Sequence, residues 1–190
     1  LIDRQRGLRV PQSATPFEAL SWAIIGQQIS VSAATAIRRR FIQLAGQARV
    51  SGLYCYPDAT AVNKLDASAL RSVGFSASKA DTLLTVSQRC CEHALLPDAL
   101  HSDADAQSTE QALLGIRGLG PWSVNYTLLR GYGYLDGSLH GDVAVQKALQ
   151  QLLGLKARPT AKATRDWLAA FTPWRALVAA HLWQSLNVQA

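Results

Sequence analysis

Apolar residues recur at intervals of three and four along most of this chain, the spacing of helices that bury one face. The first such run, Phe17-Glu18-Ala19-Leu20-Ser21-Trp22-Ala23-Ile24-Ile25, follows Thr15-Pro16, a capping residue and a proline suited to a first helical turn. A polar corner, Gly26-Gln27-Gln28-Ile29-Ser30, separates it from a second run, Val31 to Leu44, which carries Arg38-Arg39-Arg40 and stops near Gly46. Short helical pieces are predicted around Pro57 to Leu65 and Ser68 to Ser72. A longer one is predicted over Ser78 to Leu95, apolar at Ala80, Leu83, Leu84, Val86 and Cys90. Asp98 to Gln107 is polar and reads as a linker.

Beyond it, Ser108 to Leu114 is helical and runs into Gly115-Ile116-Arg117-Gly118-Leu119-Gly120-Pro121, a glycine-punctuated hairpin centred in residues 113–125. Helical spacing resumes from Trp122 to Tyr132. A loop is predicted over Gly131 to Gly141, then helices over Asp142 to Leu153 and Thr160 to Ala170, with a final one opened by Pro173 and running through Trp183. No segment alternates convincingly with period two. The expected fold is therefore all-α, two helical lobes with a cleft between them, in one domain over residues 1–190.

With 48% hydrophobic and 17% charged residues in 190, the chain can bury a core, which excludes disorder as its main state. Apolar stretches such as Ala176-Leu177-Val178-Ala179-Ala180 fall far short of the roughly 20 residues that span a bilayer, so a soluble protein without a membrane partner is expected. Cys55, Cys90 and Cys91 form no CxxC pair and cannot all pair internally, which suits a reducing compartment, the cytoplasm. The chain starts at Leu1 and contains no Met. Its first residues, Leu1-Ile2-Asp3-Arg4-Gln5-Arg6, do not read as a signal peptide.

Four features could carry chemistry. The hairpin Ile116-Arg117-Gly118-Leu119-Gly120 would leave backbone N–H groups open at a helix N-terminus, where a phosphate can bind, although glycines also serve ordinary helix–helix turns. Asp142 stands at an expected helix start, where it would act as an N-cap. The same rigidly held carboxylate could stabilise a developing cation. Trp122 and Tyr126, four residues apart, share one helix face, and with Trp183 they could be core or could stack on a base. The net charge of +6, including Arg38-Arg39-Arg40, Arg117, Arg130, Lys147 and Arg175, suits a polyanion but equally a solvated surface. The histidines His93, His101, His140 and His181 show no HExxH spacing, and neither a Walker loop nor a GxSxG elbow occurs. Zinc, nucleotide and serine-hydrolase chemistry are accordingly disfavoured.

Taken in order, several segments resemble the helix-hairpin-helix-GPD superfamily of DNA glycosylases, and most closely its 3-methyladenine DNA glycosylase II branch. They are Phe17-Glu18-Ala19-Leu20 running into Ile24-Ile25-Gly26-Gln27-Gln28-Ile29-Ser30, then Gly74-Phe75-Ser76-Ala77-Ser78-Lys79-Ala80, and Gly115 to Ser123. Leu139-His140-Gly141-Asp142-Val143-Ala144-Val145 follows at the family's spacing from Trp122, and Pro173-Trp174-Arg175 leads to His181-Leu182-Trp183. The resemblance covers nearly the whole chain.

That resemblance implies a DNA base-excision repair enzyme acting on alkylated purines in double-stranded DNA, and Asp142 as its essential acid. Gly118, Leu119 and Gly120 would grip a phosphate, and Gln28 or Gln27 would fill the gap left by a flipped base. Trp122, Tyr126 and Trp183 would line the base pocket. Relatives that also cut the strand carry Lys where this chain has Trp122, so a monofunctional glycosylase without a lyase step is expected. No cofactor is required on this reading, although the family implies a monovalent cation held by the carbonyls of Leu114, Ile116 and Leu119. The iron–sulfur branch is disfavoured because its clustered Cys ligands are missing from the C-terminal region. His140 stands where many relatives have Pro, and the stretch from Asp142 to Trp183 is a little longer than in that branch. The resemblance to that branch also implies an N-terminal β-rich domain, without which the helical part is expected to fold and act. A monomer in the bacterial nucleoid is the default expectation. The rival readings are an oxidised-purine glycosylase and a non-catalytic DNA-binding helix-hairpin-helix module.

Overall fold

The computed structural model describes residues 2–93 and 95–187. After a 3-10 turn at Ile2–Gln5 come α1 (Pro16–Gly26), α2 (Val31–Ala45), α3 (Ala59–Val62), α4 (Ala67–Ser72) and α5 (Ala77–His93). Then follow α6 (Asp103–Leu114), α7 (Pro121–Tyr132), α8 (Val143–Leu152), α9 (Ala161–Ala169) and α10 (Arg175–Asn187). Among the described residues the only β-pairing is an isolated antiparallel bridge between Ala48 and Tyr54, and the all-α expectation holds. Ala94, inside the helix expected over Ser78 to Leu95, lies outside the described residues.

Most helix ends fall within a few residues of the sequence reading, and two departures have a visible cause. The expected linker over Asp98 to Gln107 is helical from Asp103, because Ser102 caps it by accepting the Asp105 N–H at 3.2 Å. Asp103 and Asp105 then lie in the first turn, where the helix dipole favours acids. The stretch looked like a linker because α6 is largely solvated and buries only a narrow stripe, Ala106, Thr109 and Leu113. The last helix begins at Arg175 rather than at Pro173. Its first amides bond to the preceding loop, Arg175 N–H to Asp136 Oδ1 at 3.4 Å and Ala176 N–H to Leu135 O at 2.8 Å, so donors that α10 leaves open are satisfied from outside it.

Two apolar clusters form the interior. The first takes Leu20, Ile24 and Ile25 of α1, Phe41 of α2, Leu83 of α5, Leu113 of α6, and Val124 and Leu128 of α7. The second takes Leu129 of α7 together with Leu139, Val145, Leu168, Ala179 and Leu182. Each fully buried Leu or Ile contributes about 1.5–3 kcal/mol relative to exposure. Helix α7 thus belongs to both clusters, and these are the two lobes expected from the sequence. It lies close against α1: a side chain at Gly131 would put Cβ 2.9 Å from Pro16 Cα and 3.3 Å from Ala19 Cβ.

Candidate active site

The loop that leaves α7 at Gly133, a left-handed residue with φ +71°, returns to start α8 at Asp142 and is tied down along its length. Asn125 accepts the Ser138 N–H at 2.9 Å while its own amide donates to Glu110 Oε1 and to Pro121 O, each at 3.0 Å. Arg175 grips Asp136 through two bonds of 2.8 and 2.9 Å, a bidentate pair. Leu139 is fully buried, and Gln146 donates to His140 O at 2.9 Å. Burial pushes the His140 imidazole below its usual range, helped by the charges of Arg165 and Arg175.

Held by that loop, Asp142 is the N-cap of α8, and its Oδ1 accepts the Val145 N–H at 2.9 Å. Two indoles add to this. Trp122 Nε1–H donates to Asp142 Oδ2 at 2.7 Å, and Trp183 Nε1–H donates to Oδ1 at 3.1 Å. The capping expected from the sequence is present, and the carboxylate it holds rigid is the one the two indoles bind. A carboxylate offers about four acceptor positions, and with three taken the open one lies on Oδ2. The bonds come from α7, α8 and α10, so the orientation of Asp142 depends on the whole second lobe.

The three aromatics expected at the site do converge. Trp122 and Tyr126 have ring centroids 5.4 Å apart, and Tyr126 and Trp183 6.3 Å. All three are half-buried, packing their inner edges on the second cluster, so the core reading is part of the truth. Burial raises the Tyr126 phenol, against the opposing charge of Arg130. Arg130, one turn beyond Tyr126, lies 5.9 Å from its ring centroid.

Sequence reasoning missed Trp22 and read Arg38 only as part of a charged run. Trp22 of α1 carries the Arg38 guanidinium over its ring at 5.4 Å, and Arg38 also lies 5.2 Å from the Tyr56 ring and forms an ion pair with Glu18. Glu18 and Trp22 are four residues apart, but the pairing with Arg38 is tertiary and leaves no local signal. The run Arg38-Arg39-Arg40 is thereby split: Arg38 turns inward, Arg39 is exposed, and Arg40 Nε–H donates to Val73 O at 2.9 Å.

The polar corner and the hairpin meet each other. Gln27 Nε2–H bonds to Gly118 O at 3.0 Å and to Ser123 Oγ at 2.9 Å, so its side chain is committed to the hairpin. Gln28 is exposed and left-handed, with φ +57°, the one non-glycine residue with positive φ among those described. The two glutamines that sequence could not separate therefore have different surroundings. Gly118 has φ +93°, and a Cβ there would lie 2.1 Å from Thr82 Oγ1, which itself bonds to Arg117 O at 3.1 Å. Gly120 caps α7 with no side chain, and a Cβ there would meet nothing within 4 Å, so the face over the first amides of α7 is open. Ile116 and Leu119 anchor the turn by burial at 3% and 7% exposure. The Ile116 carbonyl accepts the Leu119 N–H at 3.1 Å, which closes the turn.

DNA-3-methyladenine glycosylase 2 of Escherichia coli (strain K12) is 28% identical to this chain over 180 residues, covering 93% of it and 60% of that protein. The 3-methyladenine DNA-glycosylase from Archaeoglobus fulgidus shares the fold at a TM-score of 0.79 and 22% identity, over 96% of this chain and 62% of that one. The Clostridium acetobutylicum 8-oxoguanine glycosylase/lyase, solved with double-stranded DNA, shares it at 0.77 and 18% identity, over 99% and 64%. The chain spans about three fifths of the length of its first bacterial relatives. The pattern of the HhH-GPD superfamily of base excision DNA repair proteins matches residues 21–173, which takes in the corner, the hairpin and Asp142, and the chain belongs to that superfamily.

Proposed function

We propose that this chain is the catalytic region of a monofunctional DNA glycosylase that removes alkylated purines of the 3-methyladenine type from double-stranded DNA. The observation that carries this reading is Asp142, fixed by one backbone and two indole N–H bonds against Trp122, Tyr126 and Trp183. Relatives named for 3-methyladenine, such as the one from Escherichia coli, support the substrate class.

A base inside a duplex cannot reach such a group, so it must be turned out, at a cost of a few kcal/mol for lost stacking and pairing. The hairpin amides around Gly118, Leu119 and Gly120 hold a phosphate, and the exposed Gln28 enters the space the base leaves. The extruded purine lies against the indole and phenol rings. An alkylated purine is cationic, and an electron-rich ring attracts it by about 0.5–2 kcal/mol. The bond from the sugar C1′ to the base nitrogen then breaks, its electron pair leaving with the purine. Positive charge builds on the sugar, and the Asp142 carboxylate stabilises it without reorganising. Water adds to C1′ and loses a proton, leaving an abasic site. The free acceptor position on Asp142 Oδ2 is suited to orienting that water.

Trp122 offers an indole N–H where strand-cutting relatives offer an amine, so no Schiff base with the sugar can form at that position. This favours the alkylation reading over an oxidised-purine glycosylase with a lyase step. The carbonyls of Leu114, Ile116 and Leu119 would hold a monovalent cation, which would supply positive charge beside the gripped phosphate. The test is incubation with methylated duplex DNA, with released purines identified and strand breaks counted before and after hot alkali. Purine release with breaks appearing only after alkali is expected. Breaks before alkali would mean a lyase, and no release would refute the proposal.

A further inference from the structure

The corner that presents Gln28 is held by a residue with no part in the chemistry above. Lys79, near the start of α5, donates from Nζ to Ile25 O at 2.8 Å and to Gln27 O at 2.7 Å. Carbonyls at the end of α1 have no partner within the helix and form the negative end of its dipole, so an ammonium ion there meets both needs at once. Burial pulls the Lys79 amine below its usual range, in keeping with a charge drawn away from water. Among the described residues it has no carboxylate partner, and the carbonyls are what it binds.

Three links follow one another through this point. Lys79 fixes the Gln27 carbonyl, and the Gln27 side chain fixes the hairpin through Gly118 O and Ser123 Oγ. Thr82, one turn along α5 from Lys79, fixes the hairpin again through Arg117 O. Gln28 follows directly after the doubly held Gln27 and takes a conformation that a non-glycine residue keeps only where its surroundings impose it. A residue that enters a base stack is pushed back by the closing strand. Its backbone must therefore be braced against the part of the protein that holds the strand.

We propose that Lys79 is a positioning residue for strand opening: by tying the end of α1 to α5 it braces Gln28 against the phosphate-gripping hairpin, and so favours the flipped state of the DNA. This rests on the glycosylase reading for its setting. It places the contribution of Lys79 before bond cleavage.

The test compares Lys79→Met, Lys79→Arg and Gln28→Ala in single-turnover release of one alkylated purine, placed either in a duplex or in a single strand. Lys79→Met should slow release from the duplex about tenfold or more, the scale of a lost opening contribution. Release from the single strand, where no partner base must be displaced, should stay near the parent rate. Lys79→Arg should recover much of the loss, and Lys79→Met combined with Gln28→Ala should be no slower than the worse single variant. Equal losses on both substrates, or additive losses in the double variant, would overturn the proposal by reducing Lys79 to a stabilising contact. A second readout needs no catalysis: fluorescence of 2-aminopurine beside the damaged site in duplex DNA, with Asp142→Asn as the parent protein. Lys79→Met should reduce the rise that marks unstacking. An unchanged rise, or no rise with the parent, would overturn the proposal. Absence of release by the unmodified protein would instead count against the glycosylase reading, and the fluorescence result would still decide Lys79.

Discussion

Asp142 accepts N–H bonds from Val145, Trp122 and Trp183, and this arrangement governs what its replacement does. Asn caps a helix about as well as Asp, so Asp142→Asn keeps the bond to Val145. Its carboxamide has a single acceptor oxygen, however, and its NH2 group must face one indole N–H, donor against donor. The variant should therefore fold with a stability loss of about 1–2 kcal/mol, measured by urea denaturation. Asp142, Trp122, Tyr126 and Trp183 were legible in the sequence because spacing and motif mark them. Trp22, Arg38 and Lys79 were not, because each acts through a partner on another helix. Gln27 and Gln28 look alike in sequence. Only the fold, by committing Gln27 to the hairpin and turning Gln28 left-handed, tells them apart.

The hairpin between α6 and α7 has little freedom. Alanine at Gly118 meets two obstacles, the positive φ and the Thr82 hydroxyl 2.1 Å from the new Cβ. A strain of about 1–3 kcal/mol is expected for the backbone alone, and the turn should shift. If the hairpin grips a phosphate as proposed, Gly118→Ala should weaken binding to undamaged duplex DNA and flatten its salt dependence. Adding Thr82→Ala should recover only part of the loss, because it removes the collision but not the backbone strain. Binding isotherms at several salt concentrations check both expectations. Helix positions were legible wherever a wide apolar face exists, as in α1. They were misread at α6, whose buried stripe is too narrow to stand out from its acidic surface. The start of α10 was set by bonds to Leu135 and Asp136 in a distant loop, which no local pattern reports.

Across the whole molecule, α7 joins two apolar clusters and carries the site on the side of the second. Two histidines make that lobe sensitive to acid. Burial lowers both the His140 and the His181 imidazole, and His181 Nδ1 shares a 2.7 Å bond with Gln5 Oε1. In the unfolded chain both titrate near the ordinary value of about 6.5. The unfolded state therefore binds more protons as pH falls through that value. Their contribution to stability is fully present above about pH 6.5 and is lost progressively below it, down to the folded values. Urea midpoints should fall from pH 7.5 to pH 5, and the slope should diminish in His140→Gln and again when His181→Gln is added. The two-lobe plan was legible from helix order and the hairpin. The sharing of α7 between clusters was not, since it depends on which side each α7 residue turns.

The proposed role of Asp142 is to drive base departure rather than merely to cap α8. Its most direct test compares the unmodified protein and Asp142→Asn for binding to duplex DNA carrying a stable abasic-site analogue and for purine release from methylated duplex DNA. Binding should be retained, while release should fall by a factor on the order of 10² to 10³, the loss expected when a preorganised charge is removed. Release by Asp142→Asn at the unmodified rate would exclude that role and leave Asp142 a structural cap.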